Sequence, residues 1–109
     1  MNEKILCAAN WYKDFPLKKD DPIPDGFIRP INCDRGIVFS GLRHYNCLYQ
    51  MMAISGLYQH QAGEEVQGFL TNKNRFVNRQ EALEIALKEN QVIDLDQIHG
   101  RQLYSEDLY

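Results

Sequence analysis

The sequence predicts an α+β fold: a small mixed or antiparallel sheet covered by two helices in a single domain. Three observations predict it. Short apolar runs with strand-like alternation occur near the start, before residue 41 and after residue 65. Two stretches carry apolar residues at helical spacing beside helix-end signals. The order of these pieces is strand, long loop, strand, helix, hairpin, helix, strand-like tail, with no internal repeat, which suits a layered α+β arrangement.

The first element is "KILCAANWY", where alternation places Ile5, Cys7, Ala9 and Trp11 on one face of a strand. All four prolines then fall between residues 16 and 30. Proline fixes φ and removes a donor, so the stretch at about 16–36 reads as a loop. Loops of that length in small domains are either functional or disordered. After it, "GIVFSG" is a short buried-type strand bounded by glycines.

A helix is expected over residues 42–55. Leu48, Met51, Met52 and Ile54 supply its apolar stripe, and Gly56 its stop. "LYQHQAGEE" reads as a loop. In "VQGFLTNKNRFV" two apolar runs flank a stretch with the composition of a hairpin turn. Asn78, with Glu81 three residues later, is an Asn version of the capping box and opens a second helix at about 79–89. The tail "VIDLDQIHGRQLYSEDLY" is read as one or two short extended pieces.

Composition limits function. A chain of 109 residues, 44% hydrophobic and 25% charged, forms one domain, residues 1–109, whose core needs neither disulfide nor metal. A net charge of −3 argues against duplex DNA as a partner. No apolar run approaches the roughly 20 residues that span a bilayer, so no membrane is expected. The N-terminal ten residues are too polar for a signal peptide. The three cysteines, Cys7, Cys33 and Cys47, are odd in number and form no CxxC pair. A reducing cytoplasm is therefore the expected location.

The stretch richest in chemistry is "GLRHYNC", residues 41–47. A helix start offers free N–H groups and the positive end of its dipole. Arg43 adds a fork of donors that fits phosphate or carboxylate. Arg43 and His44 are expected in the first turn, facing a shared polar pocket. Its anion is either a ligand phosphate or the tail carboxylates Glu106 and Asp107. The plain alternative is a surface Arg43 paired with an acidic loop. His44 and Cys47, three apart, share a helical face. They could form a nucleophile pair or half a zinc site. Cys47, however, lies in register with Met51 and Ile54, as a core residue would. Cys7, Cys33, His60 and His99 have no ligand spacing with a second partner, so no metal and no cofactor are expected. Arg75 and Arg79 flank a short strand and helix start. Arg79 at a first helical position works against the dipole, which points to a ligand contact or to an ion pair with Glu106 or Asp107. Trp11, Tyr12, Phe15, Tyr45, Tyr49, Tyr58, Tyr104 and Tyr109 offer rings that could stack a base or ribose, or that fill core and rim.

Taken together, "ILCAA", "RHxxC", "GFLTxxNRFVxRxEAxxIA" and the terminal "SEDLY" resemble a family of short bacteriophage and prophage proteins, met also in gut-type bacteria. The resemblance covers most of the chain except the proline loop. It implies a phage or mobile-element accessory protein, with the countering of a host defence as one role open to it. It supplies no activity and therefore no catalytic residue.

Three functions stay open. The first is a binding module for an anionic, phosphate-bearing ligand such as a nucleotide, held by Arg43, His44, Arg75 and Arg79. The second is an inhibitor that docks on a host protein through its acidic surface and proline loop. The third is a small hydrolase or transferase using His44 and Cys47. A nucleotide panel, a pull-down and thiol alkylation rates tell them apart.

Overall fold

The structure, a computed structural model, describes residues 2–16, 29–98 and 100–109. Residues 17–28, most of the proline-rich stretch, and His99 lie outside the described residues. Four strands form one antiparallel sheet: β1 (Ile5–Tyr12), β2 (Ile37–Gly41), β3 (Glu65–Thr71) and β4 (Phe76–Asn78), in the order β2-β1-β3-β4. Two helices, α1 (His44–Ser55) and α2 (Arg79–Lys88), pack on one face. The fold is thus the α+β arrangement that the sequence predicts.

β1 lies at the centre of the sheet because it is the most apolar run and can be buried on both faces. Its alternation is interrupted. A register shift between Ile5 and Cys7 in the pairing with β3 turns Ile5 to the helix side. Ile5, Ala8 and Tyr12 join the core beneath the helices, together with Phe39, Cys47, Met51, Phe69, Val77, Leu83, Ala86 and Leu103. Ala9 packs with Cys33 and Phe76 in a second cluster, with Trp11, Val38, Val66 and Leu70 against it. The strict alternation expected for Ile5, Cys7, Ala9 and Trp11 is therefore corrected by this irregularity. The side-chain amide of Gln91 secures the shift: it accepts from the Ile5 N–H at 2.9 Å and donates to the Ile5 carbonyl at 2.8 Å.

Residues 29–36, the described end of the long loop, cover the second cluster. Asn32 brackets Phe76, accepting its N–H at 2.8 Å and donating to its carbonyl at 2.6 Å. Trp11 Nε1 donates to the Arg35 carbonyl at 2.8 Å. The Asn32 pair caps β4, whose free edge would otherwise invite another strand.

The helix boundaries follow their end signals. Gly41 ends β2, and Arg43 precedes α1 with extended dihedrals; its N–H donates to Asn46 Oδ1 at 3.0 Å. Helix α1 thus begins two residues later than the expected 42. Gly56 stops it in the left-handed conformation, φ 72°, with its N–H on the Met52 carbonyl at 2.8 Å. At α2 the capping box forms: Asn78 Oδ1 accepts from the Glu81 N–H at 2.8 Å, and Glu81 Oε1 accepts from the Asn78 N–H at 3.3 Å. The β3–β4 turn passes through Asn74 at φ 57°.

The tail departs from expectation. Among the described residues it contributes no strand; it forms 3-10 turns at Leu95–Gln97 and Ser105–Asp107. The cause is local acid chemistry. Asp94 accepts from the Asp96 N–H at 3.0 Å, and Asp107 reaches back to the Tyr104 N–H at 2.9 Å. Such side-chain bonds offer the backbone an alternative to a ladder. Leu103 N–H goes to the Arg79 carbonyl at 2.9 Å and Ile93 N–H to the Asp107 carbonyl at 3.0 Å, so the tail straps the helix side of the molecule.

Candidate functional site

Helices α1 and α2 begin beside one another. His44 is the first residue of α1 and Arg79 the first of α2, and His44 Nδ1 stands 3.4 Å from Arg79 Nη2. Two helix N-termini, each with unpaired N–H groups and a positive dipole end, therefore converge on one spot. The antiparallel sheet brings this about. Its central pair, β1 and β3, lies beneath, and each helix enters from a strand on either side of that pair.

His44 is held in one tautomer. Nε2 lies 2.8 Å from the Gly68 carbonyl, which can only accept, so Nε2 carries the proton and Nδ1 is left to accept from Arg79. The ring stands edge-on to Phe69, centroids 5.1 Å apart. Burial pushes the His44 pKa down; the bond to the Gly68 carbonyl opposes this, and the nearby Arg79 charge adds to it. His44 is accordingly a neutral ring that orients Arg79.

Arg79 is half-buried, which lowers its pKa from an arginine's usual value without discharging it. Nη1 donates to the Leu103 carbonyl at 2.8 Å, Nη2 to Gln67 Oε1 at 2.6 Å, and the guanidinium lies 4.7 Å from the centre of the Tyr104 ring. Among the described residues it forms no ion pair. Its unfavourable place against the dipole thus goes with contacts to neutral groups, not with the expected pair to Glu106 or Asp107. Arg43 turns to the tail: Nη1 donates to Ser105 Oγ at 3.1 Å, Nη2 to the Tyr109 main-chain oxygen at 2.7 Å, and the guanidinium faces the Tyr109 ring. Glu106 is 4.0 Å from Arg43 and mostly exposed, whereas Asp107 serves the Tyr104 N–H. The tail therefore meets Arg43 through the Ser105 hydroxyl and the Tyr109 main-chain oxygen more closely than through the Glu106 carboxylate.

Five further side chains extend this polar patch, and sequence reasoning did not single them out as a group. Gln67 Nε2 donates to Glu65 Oε1 at 2.9 Å. Glu65 Oε2 accepts from Tyr12 Oη at 2.8 Å and from Gln59 Nε2 at 3.2 Å. Asn10, fully buried, donates through Nδ2 to the His44 carbonyl at 3.1 Å. Its Oδ1 is the one buried side-chain polar atom without a partner among the described residues. In the β1–β3 register Asn10 faces Gln67 and Tyr12 faces Glu65. The available signal was alternation: Asn10 and Tyr12, and likewise Glu65 and Gln67, are two apart and share a face.

The remaining candidates lie elsewhere. Arg75 stands at the other end of β4 and grips Glu3 with two bonds, Nε–Oε2 at 2.8 Å and Nη2–Oε1 at 2.9 Å. Each partner shifts the other by that hydrogen bond, Glu3 below the carboxylate range and Arg75 above its own. The structure brings His44 and Arg79 together, turns Arg43 away to the tail so that it does not share one pocket with His44 as expected, and leaves Arg75 apart.

The family model for the Phage T4 y16D protein matches residues 4–109. The chain belongs to that family. No curated protein and no solved structure matches it. The match runs over nearly the whole chain and so bears out the phage-type resemblance.

Within this family member Cys47 is fully buried, with Sγ 3.4 Å from the Arg43 carbonyl and 3.7 Å from the Ala8 carbonyl. Burial pushes its pKa up to about 11. A thiol so placed is a poor nucleophile. Among the described residues no group of three His, Cys, Asp or Glu side chains is arranged to hold a metal. No helix among them is long and apolar enough to cross a membrane.

Proposed function

We propose that this phage-family protein is a binding module for a small phosphate-bearing ligand, a nucleotide in the first instance, and that it acts in the host cytoplasm as an accessory or anti-defence factor. The observation that carries the reading is Arg79: a half-buried guanidinium beside two helix N-termini whose described hydrogen-bond partners are all neutral, with the Glu106 carboxylate acting on it only from beyond ion-pair distance. A charge kept among neutral acceptors retains its attraction for an incoming anion, and charge-assisted bonds to phosphate outcompete neutral ones. His44 fixes the guanidinium in place, Arg43 adds a second cation at the rim, and the exposed Tyr104 ring beside Arg79 offers a base its face. Arg75, engaged with Glu3, has a structural role in this reading.

The test is calorimetric titration with a nucleotide panel. Wild type binds at least one phosphate-bearing probe, Arg79→Gln weakens it by about tenfold or more, the size of one lost charged hydrogen bond, and Arg75→Lys leaves it unchanged. Absence of binding to the whole panel refutes the reading.

A second reading, an inhibitor that docks on a host protein, draws support from α1. Its twelve residues carry no Asp, Glu, Lys or Arg, and Tyr45, Tyr49 and Ile54 are exposed on it, with Leu42 just before it. Capture of a host protein that Tyr49→Lys abolishes, with no ligand binding at Arg79, would favour it. Nothing at Cys47 favours the hydrolase reading.

A further inference from the structure

We infer that Glu65 is the second half of the ligand site and that it reads hydroxyl groups, so that the ligand is a ribose phosphate and not a bare phosphate; this rests on the function proposed above. The observation is the way Gln67 separates charges. Its amide oxygen is held by Arg79 and its amide nitrogen by Glu65, so a cation and an anion that could have paired are kept apart on one face of β3. Glu65 is half-buried and forms no ion pair among the described residues. Its described partners are neutral donors: Tyr12, Gln59 and Gln67. Two of these, Gln59 and Gln67, are exposed amides that a ligand can replace.

The patch therefore has two unlike ends. Around Arg79 and Arg43 donors are in excess, and only an acceptor group such as phosphate suits them. Around Glu65 acceptors are in excess, and Asn10 Oδ1, buried and unpartnered opposite Gln67, adds another. A buried acceptor without a partner marks a place where a donor belongs. The Gln67 amide alone spans the two ends, 2.6 Å from Arg79 Nη2 and 2.9 Å from Glu65 Oε1, which sets them no more than about 8 Å apart. In a nucleoside 5′-monophosphate the phosphate and the vicinal ribose hydroxyls are separated by a span of that order. The open Tyr104 ring next to Arg79 favours a ligand with a base over an alkyl amine.

The experiment compares AMP, 2′,3′-dideoxy-AMP, phosphoethanolamine and inorganic phosphate by titration calorimetry, on wild type and on Glu65→Gln. In wild type AMP binds at least about tenfold tighter than the dideoxy analogue, because a site built to bond hydroxyls penalises their loss. In Glu65→Gln that ratio collapses while the affinity for inorganic phosphate holds. The wild-type comparison stands even where the variant folds poorly. Equal binding of AMP and its dideoxy analogue overturns the role of Glu65 and leaves the phosphate reading intact. Phosphoethanolamine binding more tightly than AMP overturns the hydroxyl assignment. Failure of all four probes to bind overturns both readings at once.

Discussion

At the scale of single residues, His44 shows how one ring can serve an arginine without becoming charged. Both nitrogens are satisfied only in the neutral form, and a second proton would face Arg79. Because the folded state holds the His44 pKa below its ordinary value of 6.5, the unfolded chain takes up the proton first. Its contribution to stability is therefore complete above about pH 6.5 and is lost as pH falls below that value. The urea midpoint of wild type should drop between about pH 7.5 and about pH 5.5 more than that of His44→Gln, which has no proton to gain. Parallel pH profiles for the two proteins would show that the ring is not held neutral. The sequence placed Arg43 and His44 at a helix start correctly, since Gly41 and the stripe from Leu48 fix that point. It could not show that His44 turns inward to Gly68 while Arg43 turns outward to the tail, because both directions are compatible with a first-turn position.

At the scale of elements, the two helix starts and the hairpin explain what was legible. The Asn78–Glu81 box is a strictly local signal, readable because both partners lie within one turn. Asn78→Ala should cost about 1 kcal/mol, measured by chemical denaturation, and a neutral result would show that solvent caps α2 as well as Asn78 does. Gly68 is the opposite case. A Cβ there would run into the Val77 carbonyl oxygen and stand 2.7 Å from the Phe76 ring. The requirement comes from β4 crossing close by, and nothing in the local pattern announces it. Gly68→Ala should destabilise by more than about 2 kcal/mol, since the atom to be displaced is backbone. A thermal midpoint close to wild type would contradict that contact. The tail escaped the sequence reading for a related reason: its apolar residues alternate as a strand's would, but Asp94 and Asp107 bind the backbone first.

At the scale of the whole molecule, the strap from Leu103 onward joins the starts of both helices. Leu103 is fully buried in the main core, its N–H and carbonyl both engaged with Arg79. Leu103→Ala should lower stability by about 2–4 kcal/mol, read from urea unfolding, as for other buried leucines. A loss below about 1 kcal/mol would mean that the strap rests on the surface. This long-range arrangement is why the full patch was hidden from the sequence: Asn10, Gln67 and Tyr104 meet only once the sheet register and the strap are in place.

The strap also sets a timetable. During synthesis the central strand β1 emerges first and must wait for β3, more than fifty residues later, before its second edge is paired. Arg43 then waits longer still, for Tyr109. A partial chain that stops short of Tyr109 thus has its helix starts without the whole of their strap. The two helix starts are therefore strapped together by late-made residues, and the polar patch between them is assembled late in the order of synthesis.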